Sequence, residues 1–455
     1  MTSLYSLANL SDNRECWIDS SGSPIATNQL MHFAAKNRKF FTDAKNKNVA
    51  IFESDRSHTV QLLCLLDGLC SQLFIVPPGL DSDVLVELLN QAKVDVLVSD
   101  REVAGLSKSI AKVKLVYGGY DTSEIEPLDV IPIETEWIIA TSGTTGVPKL
   151  LVHSLENLSG GLVKNLSQGD EFVWGLVYDL SKYAGLQVYL QSLIGGSTLL
   201  LPSDEMSLTE QINFFSDYNC NALSATPTLW RKILMSPACE NLQLKRITLG
   251  GEIADQSILD ELAKRFPKAK IVHIYASTEA GVGFSVRDGF AGFPASYLTA
   301  APRDVFIKVV DGRLFLKSSN TSKSILNLKS LKDDDGYIDT GDLVELKDDR
   351  YCFLGRASGL INVGGNKVYP EEVEQVLLLH DKISLARVYK KENHLMGNLV
   401  VCDLVVSNGD IGSLISLKKE IRTHCLRYLA DWKVPVLFNF VESIDNSSSG
   451  KQIRK

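Results

Sequence analysis

Apolar positions along the larger, N-terminal part of the chain follow two alternating rhythms. In HTVQLLCLLDGLCSQLFIVPP, residues 58–78, a helical apolar spacing gives way to a short apolar run closed by two prolines. DVLVELLNQAKVDVLVSD, residues 83–100, repeats the pattern. Helix, strand, helix, strand is the alternation that builds parallel sheets covered on both faces. It returns in QINFFSDYNCNALSATP, in LKRITLGG and in ILDELAKRFPKAKIVHIYAS. From about residue 303 to 354 the rhythm changes. VFIKVVDGRLFLK predicts a hairpin around Asp311-Gly312, and DDDGYIDTGDLVELKDDRYCFLG predicts antiparallel strands with Gly and Asp turns. The last segment predicts two further helices, over 371–380 and 414–429. A chain of 455 residues is long for one compact core. The reading is an α/β protein. A large N-terminal domain, 1–354, holds αβ-layered sheets and a small β-barrel-like part, and a small mobile α+β domain, 355–455, follows a hinge near 356–360.

Charge and cysteine usage narrow the partners. A formal net charge of −8 argues against a general nucleic-acid binder or an anionic-membrane surface, and favours small solutes. The eight cysteines form no CxxC pair, and the seven histidines show no HxxxH or HExxH spacing. Reduced thiols in a cytoplasmic protein without structural zinc are expected. The first residues, MTSLYSLANLSDNREC, lack the basic head and apolar core of a signal peptide. No apolar run approaches the roughly 20 residues of a membrane span.

Chemistry concentrates in IIATSGTTGVPKLLVHS, residues 138–154. Gly143 and Gly146 let a backbone approach a ligand closely, Thr141, Ser142, Thr144 and Thr145 add hydroxyl donors, and Lys149 adds a positive charge. The set suits a polyphosphate. It is not a Walker loop, because Val147 and Pro148 separate Gly146 from the lysine. A second extended run should follow directly, with the next helix starting near Ser154. Taken alone, the loop also fits a hydroxyl-rich surface turn.

The loop resembles the phosphate-binding signature of the acyl-adenylate-forming (AMP-binding) superfamily, which includes acyl- and aryl-CoA ligases and stand-alone adenylation enzymes. Further resembling stretches follow in the family's order: LGGEIAD at 249–255, IYASTEAG at 274–281, GYIDTGDL at 336–343, FLGRASGLINVGGNKVYPEEVE at 353–374, WKVP at 432–435 and SSSGKQIRK at 447–455. The resemblance implies that a carboxylic acid attacks the α-phosphate of ATP to give acyl-AMP, and that a thiol of coenzyme A or of a carrier-protein phosphopantetheine then displaces AMP. The partners it implies are a small acid and either coenzyme A or an acyl or aryl carrier protein. By the same resemblance Glu279 is the Mg2+ ligand, and Thr278 touches the α-phosphate. Tyr275 stacks on the adenine, next to Ala276 and Ser277. Gly250, Gly251 and Glu252 line the adenine, Asp342 and Arg356 hold the ribose, and Lys451 supplies charge during adenylation. Counting back from Gly196 assigns Lys182 to the acyl pocket, with Tyr183, Gly185 and Ala225.

Each assignment has a plainer competitor. YASTE fits the end of a strand followed by a helix cap. Asp342 in a TGD turn fits ordinary turn chemistry. Lys451 fits a basic tail, and Lys182 fits a surface position. This chain also departs from the family's pattern: Gly359 stands where an Asp or Lys is usual near the hinge, Asn362 where lysine is common, and Asp445 where the closing motif starts with proline. Such departures would suit a catalytically silent nucleotide-binding scaffold. Against it, Lys149, Glu279, Asp342, Arg356 and Lys451 are all retained.

Overall fold

The computed structural model describes residues 3–6, 14–118, 131–141, 148–162, 171–301, 305–326, 332–393, 397–407 and 413–445. Ser142 to Gly146 of the hydroxyl-rich loop and Lys451 lie outside the described residues.

The alternating segments build two large sheets. One has seven strands, running from Ser324–Ile325 through Lys149–Ser154, Glu136–Thr141, Gln72–Ile75, Asn48–Phe52 and Val96–Ser99 to Ala111–Val113. The other has eight, from Gly281–Val286 through Lys270–Ser277, Arg246–Gly250, Ala222–Ala225, Val173–Gly175, Thr198–Leu200 and Glu15–Ile18 to Pro24–Ala26. In the eight-stranded sheet the interior pairs are parallel and an antiparallel pair closes each edge; in the seven-stranded sheet the pairs from Glu136–Thr141 to Ala111–Val113 are parallel and the two at the other end are antiparallel. Strands buried on both faces need continuous apolar runs, which is why the short runs were legible. A shared core holds Trp17, Trp137, Tyr178 and Tyr189 together with residues of both sheets such as Val49 and Ala222.

The hairpin at Asp311-Gly312 is present. Val305–Val310 pairs with Arg313–Ser318, and the two turn residues take φ of 49° and 74°, as a tight two-residue turn demands. With Ile338–Lys347, Arg350–Arg356 and Phe293–Pro294 these strands form an antiparallel five-stranded sheet.

The small domain carries the helices Pro370–Leu378 and Leu414–Tyr428, at the two predicted sites. They pack on a sheet in which Ile383–Asn393 pairs antiparallel with Gly397–Val406 and Leu437–Phe440 adds in parallel. Inside it, Asp403 accepts from Arg387 Nε at 3.2 Å and Nη2 at 2.5 Å, from Tyr389 Oη at 3.0 Å and from Asn439 Nδ2 at 3.0 Å. Burial alone would raise this carboxyl, but Arg387, Asn439 and Tyr389 outweigh it and hold it below its ordinary value. All eight cysteines are unpaired, and no helix among the described residues is long and apolar enough to cross a membrane.

Asp403→Asn leaves the buried Arg387 without its counter-charge, so the small domain should lose about 3–5 kcal/mol in urea unfolding at neutral pH. A depressed carboxyl stabilises the fold above its unfolded value of about 3.9 and stops doing so as pH falls through the folded value, so the difference should shrink in acid. Equal midpoints for the two proteins at neutral pH would show that the pair contributes nothing.

Candidate active site

The strands on either side of the hydroxyl-rich loop are locked in register, with Thr141 opposite Lys149 at its mouth. Thr141 Oγ1 donates to the Lys149 carbonyl at 3.4 Å. Lys149 begins the expected extended run, Lys149–Ser154, and Ser154 caps the helix Leu155–Ser159. Both ends of the loop thus leave neighbouring strands of one sheet.

On the other large sheet, Arg246–Gly250 ends in Gly251, whose φ of 83° only glycine adopts readily. Glu252 follows and accepts from the Thr228 amide at 3.0 Å. Asp255 caps the helix Gln256–Arg265 and takes Arg231 Nη2 on both oxygens, at 2.9 and 2.8 Å. The turn after Gly250 is therefore fastened to the helix Pro227–Met235. Ala225 is fully buried at the end of its parallel strand, Ala222–Ala225.

Thr278 and Glu279 lie in the tight turn between Lys270–Ser277 and Gly281–Val286. Ser277 Oγ accepts the Ala280 amide at 3.0 Å, and the Glu279 carbonyl accepts the Ser322 amide at 3.0 Å. A Cβ on Gly281 would meet the Asn320 carbonyl oxygen at 2.2 Å. No helix starts here, so the capping alternative for YASTE does not hold. The Glu279 side chain has no hydrogen bond among the described residues and is partly exposed, so a hard oxygen donor is available at the turn.

Tyr275, Asp342 and Arg356 meet. The Tyr275 hydroxyl donates to Asp342 Oδ2, and Arg356 Nε donates to Oδ1 at 3.2 Å. The Tyr275 ring runs parallel to Phe284 and Phe353, with centroids 5.2 and 5.1 Å away. These rings and the hydrogen bond to Asp342 fix the orientation of the Tyr275 side chain. Burial opposes the Arg356 charge, but contact with Asp342 and the nearby Glu279 raise it above its ordinary value. Asp342, Arg356, Tyr275 and Glu279 are thereby gathered at one place, with Ala276 and Ser277 on the same strand.

Of the acyl-pocket candidates, Lys182, Tyr183 and Gly185 lie at the start of the helix Tyr183–Gly195, where Lys182 is the residue before the first turn. Asp179 folds back on this turn, accepting the Ser181 amide at 2.6 Å and the Lys182 amide at 3.1 Å. Its carbonyl lies 2.1 Å from where a Cβ on Gly185 would stand, so only glycine fits. Burial lowers the Lys182 ammonium, partly offset by Asp179. Burial likewise pushes the Tyr183 phenol up.

His153 was missed by the sequence reading. It ends the apolar run after the loop, is fully buried, and faces Tyr183 with ring centroids 5.8 Å apart. Among the described residues, neither of its ring nitrogens, nor Tyr183 Oη, nor Ser181 Oγ has a hydrogen-bond partner. Burial lowers the imidazole to about 4, opposed in part by the Thr278 backbone. The only sequence signal was a histidine set in a run of apolar residues.

Residues 71–314 match the family described as AMP-binding enzyme, and residues 372–451 match the AMP-binding enzyme C-terminal domain. The chain belongs to the AMP-binding enzyme family. A 2-succinylbenzoate–CoA ligase of Listeria innocua serovar 6a is 26% identical over 425 residues, covering 90% of this chain and 87% of the relative. A long-chain-fatty-acid–CoA ligase of Yersinia pestis is 26% identical, covering 72% of this chain and 62% of its own length. Among solved structures, the anthranilate CoA ligase AuaEII in complex with anthranoyl-AMP superposes with a TM-score of 0.83 at 17% identity, covering 99% of this chain and 95% of that one. The o-succinylbenzoate CoA synthetase (MenE) from Bacillus subtilis with its acyl-adenylate intermediate gives 0.74 at 21%, covering 99% and 96%. The mixed α/β fold of a large and a small domain is theirs as well. The activity is ATP-dependent activation of a carboxylic acid as its acyl-adenylate, followed by transfer to a thiol.

A buried histidine held neutral stabilises the fold fully above its unfolded value of about 6.5, and that stabilisation is lost as pH falls toward the folded value. Between pH 7.5 and 5 this residue should account for about 2 kcal/mol of lost stability. His153→Phe should therefore show a shallower fall in urea midpoint over that range than the parent. Identical slopes would mean that the imidazole is protonated or solvated in the folded protein.

Proposed function

We propose that the acid activated by this ligase carries a second anionic or strongly polar group near the reacting carboxylate, and that 2-succinylbenzoate, named for several relatives, is an acid of this kind. The observation that carries this reading is the partly desolvated Lys182 ammonium at the start of the helix where Ser181, Tyr183 and, against the Tyr183 ring, His153 carry buried polar atoms without hydrogen-bond partners among the described residues. A buried cation and unsatisfied donors are costly unless a ligand meets them. An aliphatic chain would leave them all unpaired. Coenzyme A, rather than a carrier protein, is the acceptor in this reading, in keeping with the coenzyme A ligases among the relatives. Eight unpaired cysteines suit a reducing compartment, the cytoplasm.

In the first half-reaction, Thr141, Ser142, Gly143, Thr144, Thr145, Gly146 and Lys149 receive the triphosphate. Gly250, Gly251 and Glu252 border the adenine, and Asp342, fixed by Tyr275 and Arg356, accepts hydrogen bonds from the ribose hydroxyls. Glu279 would hold Mg2+, which suits one carboxylate plus phosphate oxygens and neutralises phosphate charge. Thr278 lies next to the α-phosphate. Lys451 lends positive charge as the carboxylate oxygen bonds to the α-phosphorus and pyrophosphate leaves. In the second, the sulfur of coenzyme A attacks the acyl carbon, its proton is lost, and AMP leaves. Rotation about residues 356–360, aided by Gly359, between a body of 1–354 and a domain of 355–455, exchanges the surfaces presented to the substrate.

Lys451→Ala should lower acid-dependent exchange of labelled pyrophosphate into ATP by about 100- to 1,000-fold, the loss typical of one removed charge-stabilising donor. Transfer from supplied acyl-adenylate to coenzyme A should persist. Equal losses in both steps would reject the role.

Lys182→Met keeps most of the volume and deletes the charge. The kcat/KM ratio for 2-succinylbenzoate over a matched monocarboxylic acid should fall by about 5- to 150-fold, roughly 1–3 kcal/mol. An unchanged ratio would return Lys182 to the surface.

A further inference from the structure

Lys232, on the helix Pro227–Met235 of the large domain, donates from Nζ to the carbonyl of Ile444 at 2.7 Å, across 212 positions of sequence. Its surroundings join three parts of the enzyme. The Ile444 side chain is fully buried with Leu385 and Val405 in the small domain, so the accepting carbonyl is rigidly held. Asp445 and Glu252 both lie close enough to support the ammonium against its partial burial. Glu252 in turn accepts the Thr228 amide in the first turn of the same helix. That helix is fixed to the nucleotide side by Arg231 on Asp255 and by Trp230 Nε1 on the Thr248 carbonyl at 3.0 Å.

We infer that Lys232 is a positioning residue for adenylation: it pins the end of the small domain's ordered core against the turn after Gly251, in the orientation used for the first half-reaction. This rests on the reading of Lys451 given above. Lys451 follows Asp445 by six positions, which an extended chain spans in at most about 20 Å. Fixing Ile444 and Asp445 beside Glu252 therefore limits where the closing lysine can act, and removes conformational freedom that the domain would otherwise lose when it docks. The aspartate standing where relatives have proline now has a physical role. A stiff residue is replaced by a carboxylate that faces a cation on the other domain. An ammonium bridging two domains is easily broken, since water can replace each partner once they part. The contact thus favours one orientation without preventing the other.

The test uses the full-length enzyme with Lys232→Met, Lys232→Arg and Lys451→Ala, and 2-succinylbenzoate as the acid. Lys232→Met should lower acid-dependent pyrophosphate exchange by about 10- to 100-fold, the scale of a small misplacement of a catalytic group. Conversion of supplied succinylbenzoyl-adenylate and coenzyme A to thioester should stay within about twofold of the parent, because that step does not use the pinned orientation. Lys232→Arg, which can still donate to the carbonyl, should retain most of the exchange. Amide hydrogen exchange without any acid should accelerate over 437–445 and 227–235 in Lys232→Met. Parallel losses in both half-reactions, or unchanged pyrophosphate exchange and unchanged hydrogen exchange, would overturn the inference. A loss in Lys451→Ala with none in Lys232→Met would reject Lys232 and leave the site reading standing. If 2-succinylbenzoate supports no exchange in the parent, that acid assignment fails, and hydrogen exchange alone decides Lys232.

Discussion

The Asp342 carboxylate ties together the parts of the enzyme that must cooperate. One oxygen takes the hydroxyl of Tyr275, at the end of a strand of the eight-stranded sheet, and the other takes Arg356, where the antiparallel sheet runs out toward the small domain. Asp342 itself belongs to the strand Ile338–Lys347, which pairs with that of Arg356. Its side chain keeps 17% of its surface accessible, and that of Arg356 keeps 56%, so the group is oriented without being sealed. A carboxylate held in this way can receive further donors from a ligand with little reorganisation. It also ties the Tyr275 strand to Arg356, which cannot move far without releasing it. Gly355, in the strand of Arg356, has φ of 136° and the Glu371 carboxylate of the small domain in the space of its absent Cβ.

Around this point the sequence and the structure agree where local rules decide. Strands buried on both faces must be apolar throughout, so the segments ending at Ile75, Ser99, Ala225 and Gly250 were readable as strands. Asp311-Gly312 was readable as a turn because both residues had to take positive φ. The postponed helix after Lys149 was readable from Pro148 and Ser154. What failed depended on distant partners. The turn at Thr278 and Glu279 could pass for a helix cap, because the Asn320 backbone that forces it lies far along the chain. Nothing in IYASTEAG reveals that the Tyr275 ring packs against Phe284 and Phe353. His153 was hidden by the apolar run that carries it, and Lys232 by the separation from its acceptor.

The three departures from the family's pattern have different weights once the geometry is known. Gly359 lies in a short turn, Ala357–Gly359, directly after Arg356. Asn362 Oδ1 accepts the Gly365 amide at 2.9 Å, so it shapes the tight turn of the 361–368 hairpin in place of a charge. Asp445 supports Lys232. None of the three removes a group that the chemistry requires. The unusual part lies at the start of the helix Tyr183–Gly195, where Lys182, Ser181 and Tyr183 follow one another and the His153 imidazole faces the Tyr183 ring. Their placement is dictated by close packing, for Gly185 admits the Asp179 carbonyl and thereby directs Ser181 and Lys182.

The central claim is that this architecture forms an acyl-adenylate from an acid with a second polar group, and it is tested most directly by acid-dependent exchange of labelled pyrophosphate into ATP. The parent enzyme is offered a panel of aromatic, dicarboxylic and long-chain aliphatic acids. The account predicts exchange that requires added acid, is greatest with 2-succinylbenzoate or another acid bearing a second anionic group, and is weak with aliphatic chains. Exchange with none of the panel would contradict it in favour of a silent nucleotide-binding scaffold, and strongest exchange with a long-chain fatty acid would contradict the polar acyl pocket.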